Sequence, residues 1–224
     1  MIFDAFDRIR IVNLAHRRDR RAQMEGELRR VGLLNDPRVA FFPAVRPTDR
    51  GDFTSIGARG VYASQQAILD EAAAAGESVL ILEDDCDFAA HVTSYKTSDD
   101  WDIFYGGYMP SDWSNLPASD IIGAHMMGFS AKGARLMSEY LRDLAYTGIH
   151  PPIDGVYVWF RRAYPDVATH FATPPLGHQR PSRTDIATLA FFDRLPILRI
   201  LASAARRVKR VIDRRRRPGR PGQA

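Results

Sequence analysis

Short apolar runs alternate along the chain with longer segments whose apolar residues recur at helical spacing. Residues 8–14 alternate polar and apolar side chains, and 39–42 and 79–82 are short apolar runs, so all three predict strands. The segments 17–31 and 60–75 place their larger apolar residues on one helical face and predict helices. Strands that alternate with helices favour an α/β fold with a mostly parallel central sheet.

The same pattern continues in the second half of the chain. Residues 101–107 predict a strand that runs into a glycine turn, and 126–129 predict a strand directly before a helix over 131–144. A further segment, 156–161, follows a rigid Pro-Pro pair. Residues 173–184 are irregular, polar and proline-containing, so they form a candidate lid.

Composition indicates one substantial domain with a tail. The 224 residues are 45% hydrophobic and 26% charged, which is typical of globular proteins. The single cysteine, Cys86, cannot form an internal disulfide, and no run approaches the roughly 20 apolar residues that cross a membrane. Met1 is followed by no basic leader or apolar stretch, so we expect no signal peptide and a cytoplasmic location.

Positive charge is concentrated at the end of the chain. Residues 206–224 contain nine Arg or Lys and one acid, a net +8, and subtracting this from the overall +4 leaves −4 for the rest. A mildly acidic body argues against a nucleic-acid-binding domain. We therefore expect a domain over 1–190 and a basic tail over 191–224.

Residues 195–217 predict a basic amphipathic helix, because apolar positions such as Ile197, Leu201 and Val208 share one face. Three interpretations stay open: a helix packed on the protein's own core, a helix on an anionic membrane surface, and a nucleic-acid-binding arm. The membrane interpretation assigns the surface contact to Arg206 to Arg217.

Four carboxylates follow the apolar run 79–82 within five positions, in the sequence Glu83-Asp84-Asp85-Cys86-Asp87. Carboxylates this close raise one another's proton affinity unless a cation lies among them, and oxygen ligands suit Mg²⁺ or Mn²⁺. Such ions take few protein carboxylates and leave positions for phosphates, which favours a nucleotide ligand. The alternative is an acidic turn that only caps the next element.

Several short motifs occur in a defined order over residues 8–186. Together they resemble glycosyltransferase family 25, the lipooligosaccharide-biosynthesis enzymes related to collagen galactosyltransferases. The motifs are Asn13-Leu14-x-x-Arg17-x-Asp19-Arg20, Gly60-x-x-x-Ser64-Gln65, Glu83-Asp84-Asp85, Trp101-Asp102-Ile103, Gly133-Ala134 and Pro152-Ile153-Asp154.

The resemblance implies a GT-A-like nucleotide-sugar-binding fold, a donor such as a UDP-hexose, a divalent Mn²⁺ or Mg²⁺ ion, and transfer with inversion. It implies a lipopolysaccharide, lipid-linked or other envelope glycan as acceptor, at which the basic tail would hold the enzyme on the inner membrane face. The residues it assigns to donor binding are Asn13, Arg17, Arg20, Ser64, Gln65, Glu83 and Asp84. We expect the metal ligands to be Asp85, Asp87 and His178.

Asp154 is the candidate base for the acceptor hydroxyl, although it could equally bond the acceptor sugar or cap the following segment. Gln65 departs from the family, which usually has histidine there, so any charged role at that position is lost. Two rival functions stay open: a metal-dependent phosphohydrolase that uses the same acidic cluster, and a non-catalytic membrane- or nucleic-acid-binding protein.

Overall fold

A computed structural model describes residues 1–97 and 100–180. It contains four α-helices in this region: α1 (Arg18–Arg30), α2 (Ile56–Ala75), α3 (Ala131–Arg142) and α4 (Ile153–Ala163). Its strands are β1 (Arg8–Asn13), β2 (Val39–Pro43), β3 (Val79–Glu83), β4 (Cys86–Phe88), β5 (Ile103–Pro110), β6 (Ile121–Phe129), β7 (Thr169–Phe171) and β8 (Gly177–Gln179). The predicted division after residue 190 and the basic helix over 195–217 lie outside the described residues.

Six strands form the central sheet in the order β2-β1-β3-β6-β5-β7. Strands β1, β2 and β3 pair in parallel, as do β5 and β7, whereas β6 is antiparallel to both of its neighbours. Five of the six strands therefore point the same way, which confirms the predicted α/β class with a mostly parallel sheet. The carboxyl ends of β1, β3 and β5 meet at one edge.

Both faces of the sheet are covered. In β3, Val79 and Ile81 pack into the cluster that includes α2, α3 and α4, while Leu80 and Leu82 pack into the cluster that includes α1 and β4. A strand buried on both faces reads as a continuous apolar run, which explains the sequence of 79–82. Among the described residues, no helix is long and apolar enough to cross a membrane.

One predicted helix boundary and one predicted irregular segment were wrong for local reasons. Helix α2 begins at Ile56 rather than near residue 60, because the Ser55 side chain accepts a hydrogen bond from the Ala58 amide and caps the helix. The segment predicted to be an irregular lid contains β8, which pairs with β4 in a separate two-stranded sheet. Three residues are too few to give a recognisable alternation in the sequence.

Candidate active site at the carboxyl edge of the sheet

Strands β1 and β3 end side by side, with Val12 opposite Glu83 in the parallel ladder. The residues that follow this pair, Asn13 and Asp84, therefore lie side by side. The amide Nδ2 of Asn13 donates to Oδ2 of Asp84 at 2.7 Å, and both side chains are buried. A buried carboxylate needs such donors, because an ionised group without partners is costly in the interior.

Arg20 lies in the first turns of α1 and reaches the same acidic turn. Its Nη1 lies 2.9 Å from Oδ1 of Asp84 and 3.0 Å from Oδ2 of Asp85. The structure thus brings together Asn13, Arg20, Asp84 and Asp85. Asn13 and Asp84 are 71 positions apart in the sequence. One guanidinium faces two carboxylates, so the turn retains negative charge.

Glu83 adds a third carboxyl group to this charge. Burial, followed by the neighbouring acids Asp85, Asp154 and Asp84, raises the pKa of Glu83 to about 8, and Arg20 only partly opposes the rise. The site therefore favours a proton on Glu83 near neutral pH, as expected where like charges crowd. A cation that entered the turn would replace that proton.

The β4–β8 sheet places Asp87 directly opposite His178. The Asp87 carboxylate pairs with the guanidinium of Arg180, whose Nη2 and Nε both contact it. The backbone amide of Arg180 donates to the carbonyl of Asp85 at 2.7 Å. This short sheet therefore attaches the segment after residue 176 to the acidic turn.

The three predicted metal ligands do not form a single group. Asp85 contacts Arg20 and Asp87 contacts Arg180, so each carboxylate faces a different guanidinium. Nowhere in residues 1–97 and 100–180 are three His, Cys, Asp or Glu side chains grouped so that they could hold a metal ion by themselves. The predicted ion would need ligands from a substrate as well.

Arg17 and Ser64 are held by partners outside the acidic turn. Arg17 makes a bidentate pair with Asp19, at 2.9 and 2.8 Å, and this pair raises the pKa of Arg17. The Ser64 hydroxyl donates to the Gly60 carbonyl at 2.6 Å and accepts from the Val45 amide at 2.9 Å. The bond from the Val45 amide fixes the loop after β2 to α2, whereas the bond to Gly60 lies within the helix.

Close packing against the same loop also explains why residue 60 is a glycine. A Cβ atom at this position would lie 2.7 Å from the Val45 carbonyl oxygen, closer than real Cβ contacts. Gly60 and Ser64, one turn apart on α2, thus both contact Val45. This packing explains the Gly60-x-x-x-Ser64 spacing without a ligand.

Gln65 and Asp154 connect α2, α4 and β6. The hydroxyl of Tyr157 donates to Oε1 of Gln65, and both residues are fully buried. Asp154 Oδ2 accepts from the Gly123 amide at 2.9 Å, and Oδ1 accepts from the Gly155 amide at 2.9 Å. Burial raises the pKa of Asp154 even though these amide bonds oppose the rise.

Sequence reasoning missed several side chains of this region. Tyr105, His125, Tyr157 and Arg180 were not predicted as site residues, yet they lie beside residues that were. His125 and Tyr105 had a local signal, because Gly123 and Gly128 flank His125 and Gly106 and Gly107 follow Tyr105. Glycines in a strand often mark a close approach.

No family model matches the chain, and no curated protein matches it. Among solved structures, it is similar to a glycosyltransferase involved in the glycosylation of the major capsid of PBCV-1, with 10% identity, a TM-score of 0.47, and coverage of 80% of this chain and 96% of that one. A putative glucose-1-phosphate thymidylyltransferase from Bacillus anthracis, in complex with a sucrose, has 10% identity, a TM-score of 0.38, and coverage of 73% and 67%. Assignment of function therefore depends on the site itself.

Proposed function

We propose that the protein is a glycosyltransferase that moves a hexose, galactose or a similar sugar, from a nucleotide-diphosphate donor to a lipopolysaccharide, lipid-linked or other envelope glycan. The observation that carries the proposal is the acidic turn Glu83 to Asp85, held by Asn13 and Arg20 where two parallel strands end. Ligands of α/β sheets bind at this edge.

We expect the diphosphate of the donor to bind on the side of the acidic turn that faces α1. Arg20 contacts two carboxylates of the turn, and Arg17, the N-cap residue of α1, pairs with Asp19. Both guanidinium groups would bind phosphate oxygens by sharing or exchanging these contacts. Asn13, Glu83 and Asp84 complete the donor-binding set on this side. On α2, Gln65 belongs to the set directly, and Ser64 supports it by holding the loop after β2 through the Val45 amide. A UDP-sugar is the donor we expect.

The carboxylates of the turn suit a hard divalent ion, Mn²⁺ or Mg²⁺, that takes one or two protein oxygens and otherwise water and phosphate. Asp85 is the first ligand we propose. Asp87 and His178 of the β4–β8 sheet are the further candidates, and they would have to move toward Asp85, because the three side chains do not form one group in this structure. Asp87 would then exchange its contact with Arg180. When bound, such an ion neutralises charge on the departing nucleotide diphosphate.

The reaction is an inverting displacement at the anomeric carbon of the donor sugar. An acceptor hydroxyl forms the new glycosidic bond, the bond to the diphosphate breaks, and the hydroxyl proton goes to a base. Asp154 is our candidate base, because burial raises its pKa and a carboxylate with higher proton affinity accepts a proton more readily. Its two amide bonds hold it in one orientation.

The basic tail supports the choice of acceptor. The concentration of basic residues between Arg206 and Arg217 suits an anionic membrane surface, where a lipid-linked glycan is confined. We propose peripheral association with the inner membrane face.

The test is binding and turnover of a panel of UDP-, GDP- and dTDP-sugars, measured with Mn²⁺, with Mg²⁺ and with chelator. Wild type is compared with Asp85→Ala and with the matched control Asp166→Ala, which removes an exposed aspartate after α4. We expect metal-dependent binding of one donor in wild type and in the control, and its loss in Asp85→Ala.

The other outcomes separate the rival functions. Release of inorganic phosphate or of a nucleoside monophosphate at a rate independent of added glycan would favour the phosphohydrolase. Absence of binding to every nucleotide sugar, in a folded sample with metal present, would refute the transferase and favour a binding protein.

A further inference from the structure

The hairpin formed by β5 and β6 extends beyond the rest of the central sheet. Strand β3 pairs with β6 only as far as Met126, and β7 pairs with β5 only as far as Tyr105. Strands β5 and β6 pair with each other on to Pro110 and Ile121. Because β5 points the same way as β3, this extension lies at the carboxyl edge of the sheet, where ligands of α/β folds bind. We call residues 107–123 the hairpin tip.

The hairpin tip exposes large apolar side chains. Trp113 is 55% exposed, and Met109 and Ile122, which are partners in the β5–β6 ladder, are 60% and 52% exposed. Single exposed apolar residues are common on protein surfaces, whereas a concentration of them marks a binding surface. The hairpin tip therefore has the composition of a surface that contacts another molecule.

The loop that carries Trp113 is held in place by hydrogen bonds on two sides. Residues 111–112 bond residues 119–120 through backbone and hydroxyl groups, at 2.8 to 3.1 Å. The guanidinium of Arg161 donates to three carbonyl groups of the loop at 2.6 to 2.8 Å. The Trp113 ring also lies 5.9 Å from the Tyr108 ring. An aromatic ring on a fixed loop loses little conformational freedom when it binds a ligand.

The loop lies close to Asp154, the candidate base. Oδ2 of Asp154 accepts from the Gly123 amide at 2.9 Å. The loop closes three residues earlier, where the carbonyl of Asp120 accepts from the amide of residue 111. Three residues of chain span at most about 10 Å. A glycan whose reacting hydroxyl lies at Asp154 can therefore extend onto the loop.

The charge of the hairpin tip argues against a phosphate or an anionic lipid headgroup as its ligand. Residues 103–130 contain no Lys or Arg. Arg162 of α4 reaches the loop, but it pairs with Asp120 at 2.8 Å, which leaves Asp112 to set the charge of the surface. An anion would be repelled there, whereas the diphosphate of the donor is served by arginines beside α1.

A neutral sugar ring matches the loop instead. Residues 111–115 are all exposed, and they surround the Trp113 ring with hydroxyl, carboxylate and amide groups. Asp112 uses Oδ1 for the amide and hydroxyl of Ser114, and its second oxygen can accept from another hydroxyl. A pyranose has an apolar face that covers an aromatic ring and a rim of hydroxyls that bond such polar groups.

We propose that the hairpin tip binds the acceptor glycan, with Trp113 stacking on the apolar face of a neutral sugar and Asp112 accepting from its hydroxyls. This inference rests on the proposed transferase function. It separates the two substrates across the end of β3, because the sheet order β1-β3-β6-β5 puts the donor's diphosphate on the β1 side and the acceptor on the β5 side.

The test titrates tryptophan fluorescence with short neutral oligosaccharides of glucose, galactose and N-acetylglucosamine, and with sialylated counterparts that carry a carboxylate. Acceptor KM is then measured with the donor that the nucleotide-sugar panel identifies. We expect a neutral oligosaccharide to change the fluorescence of wild type. Trp113→Ala should abolish this change and raise the acceptor KM about tenfold, and donor affinity measured by calorimetry should stay the same.

Trp159→Ala is the matched control, because Trp159 is also exposed, at 42%, but lies on α4 outside the hairpin tip. It should keep both the fluorescence change and the acceptor KM of wild type. Trp113→Phe retains an aromatic face and should keep the KM within about threefold of wild type. Urea unfolding of each variant confirms that the compared proteins are folded.

The possible failures are distinguishable. If a donor and an acceptor are found but Trp113→Ala alters neither the fluorescence change nor the acceptor KM, the hairpin tip does not bind the acceptor, although the transferase proposal stands. If wild-type fluorescence responds to phosphatidylcholine vesicles and to no oligosaccharide, the hairpin tip contacts a membrane and the inference is wrong. If no nucleotide sugar binds, the transferase proposal fails and this inference fails with it.

Discussion

The carboxyl groups crowded around Glu83 at the end of β3 should make the free energy of unfolding depend on pH. The Glu83 carboxyl has its pKa raised from an ordinary 4.5 to about 8 in the folded protein. Because the folded-state value is the higher one, the favourable contribution is fully present below pH 4.5, where the group is protonated in both states. It is lost as pH rises toward 8.

The two pKa values set the size of the effect. At ~1.36 kcal/mol for each pH unit between 4.5 and about 8, the upper limit is about 5 kcal/mol. Glu83 is partly exposed, and solvent screens such interactions, so we expect about 2–3 kcal/mol. Glu83→Gln keeps a neutral side chain of the same shape at every pH and should therefore lack this loss.

The assay is urea unfolding of wild type and Glu83→Gln between pH 5 and pH 9. Burial lowers the pKa of His125 and His170, so these residues contribute stability above pH 6.5 that is lost as pH falls, with the opposite sign. Their contribution is common to both proteins and cancels in the difference. We expect the variant to gain relative to wild type as pH rises, and a pH-independent difference would refute the reasoning.

Three further predictions concern packing, ion pairing and reactivity. Gly133→Ala should lower the free energy of unfolding, measured by chemical denaturation, by about 2–3 kcal/mol, because its Cβ would lie 1.9 Å from the Asp102 carbonyl oxygen. In the control Gly26→Ala the new Cβ has nothing within 4 Å, so this variant should instead be more stable by up to ~1 kcal/mol. Asp84→Ala should cost about 2 kcal/mol, since it removes the acceptor of two buried or half-buried side chains, and unchanged stability in the same assay would contradict the ion-pair geometry. The fully buried Cys86 thiol, whose pKa burial raises, should react with a disulfide reagent only after unfolding, and rapid labelling of the native protein would show that this region opens.

The succession of the main strands and helices along the chain could be predicted, because their apolar residues recur at the spacing typical of a strand or of a helix. The run 79–82 is buried on both faces, and the alternation at 8–14 matches β1, so parallel pairing followed from the connecting helices. The reversed direction of β6 could not be predicted. A strand's apolar pattern is the same in either direction, and only the short connection from β5 favours antiparallel pairing.

Residue roles were harder to predict than elements. Asn13, Arg20, Asp84 and Asp85 could be placed together in advance, because residues that follow parallel strands meet at one edge. Tyr105, His125 and Tyr157 could not, since their neighbours come from elements as far as 92 positions apart in sequence. The Gly60-x-x-x-Ser64 spacing was interpreted through a resemblance, whereas its contacts with Val45 provide a purely structural reason.

The contrast between Ser64 and Gln65 indicates where ligand-binding residues of this chain should be sought. Both are fully buried neighbours on α2, but Ser64 satisfies its hydroxyl with two backbone partners, whereas Gln65 retains a polar atom without one in the described region. A buried donor without a partner costs about 1–3 kcal/mol, a large part of a typical folding free energy. Such a cost is tolerated where a ligand compensates for it. Within this motif, Gln65 rather than Ser64 is therefore the residue at which a ligand contact should be sought.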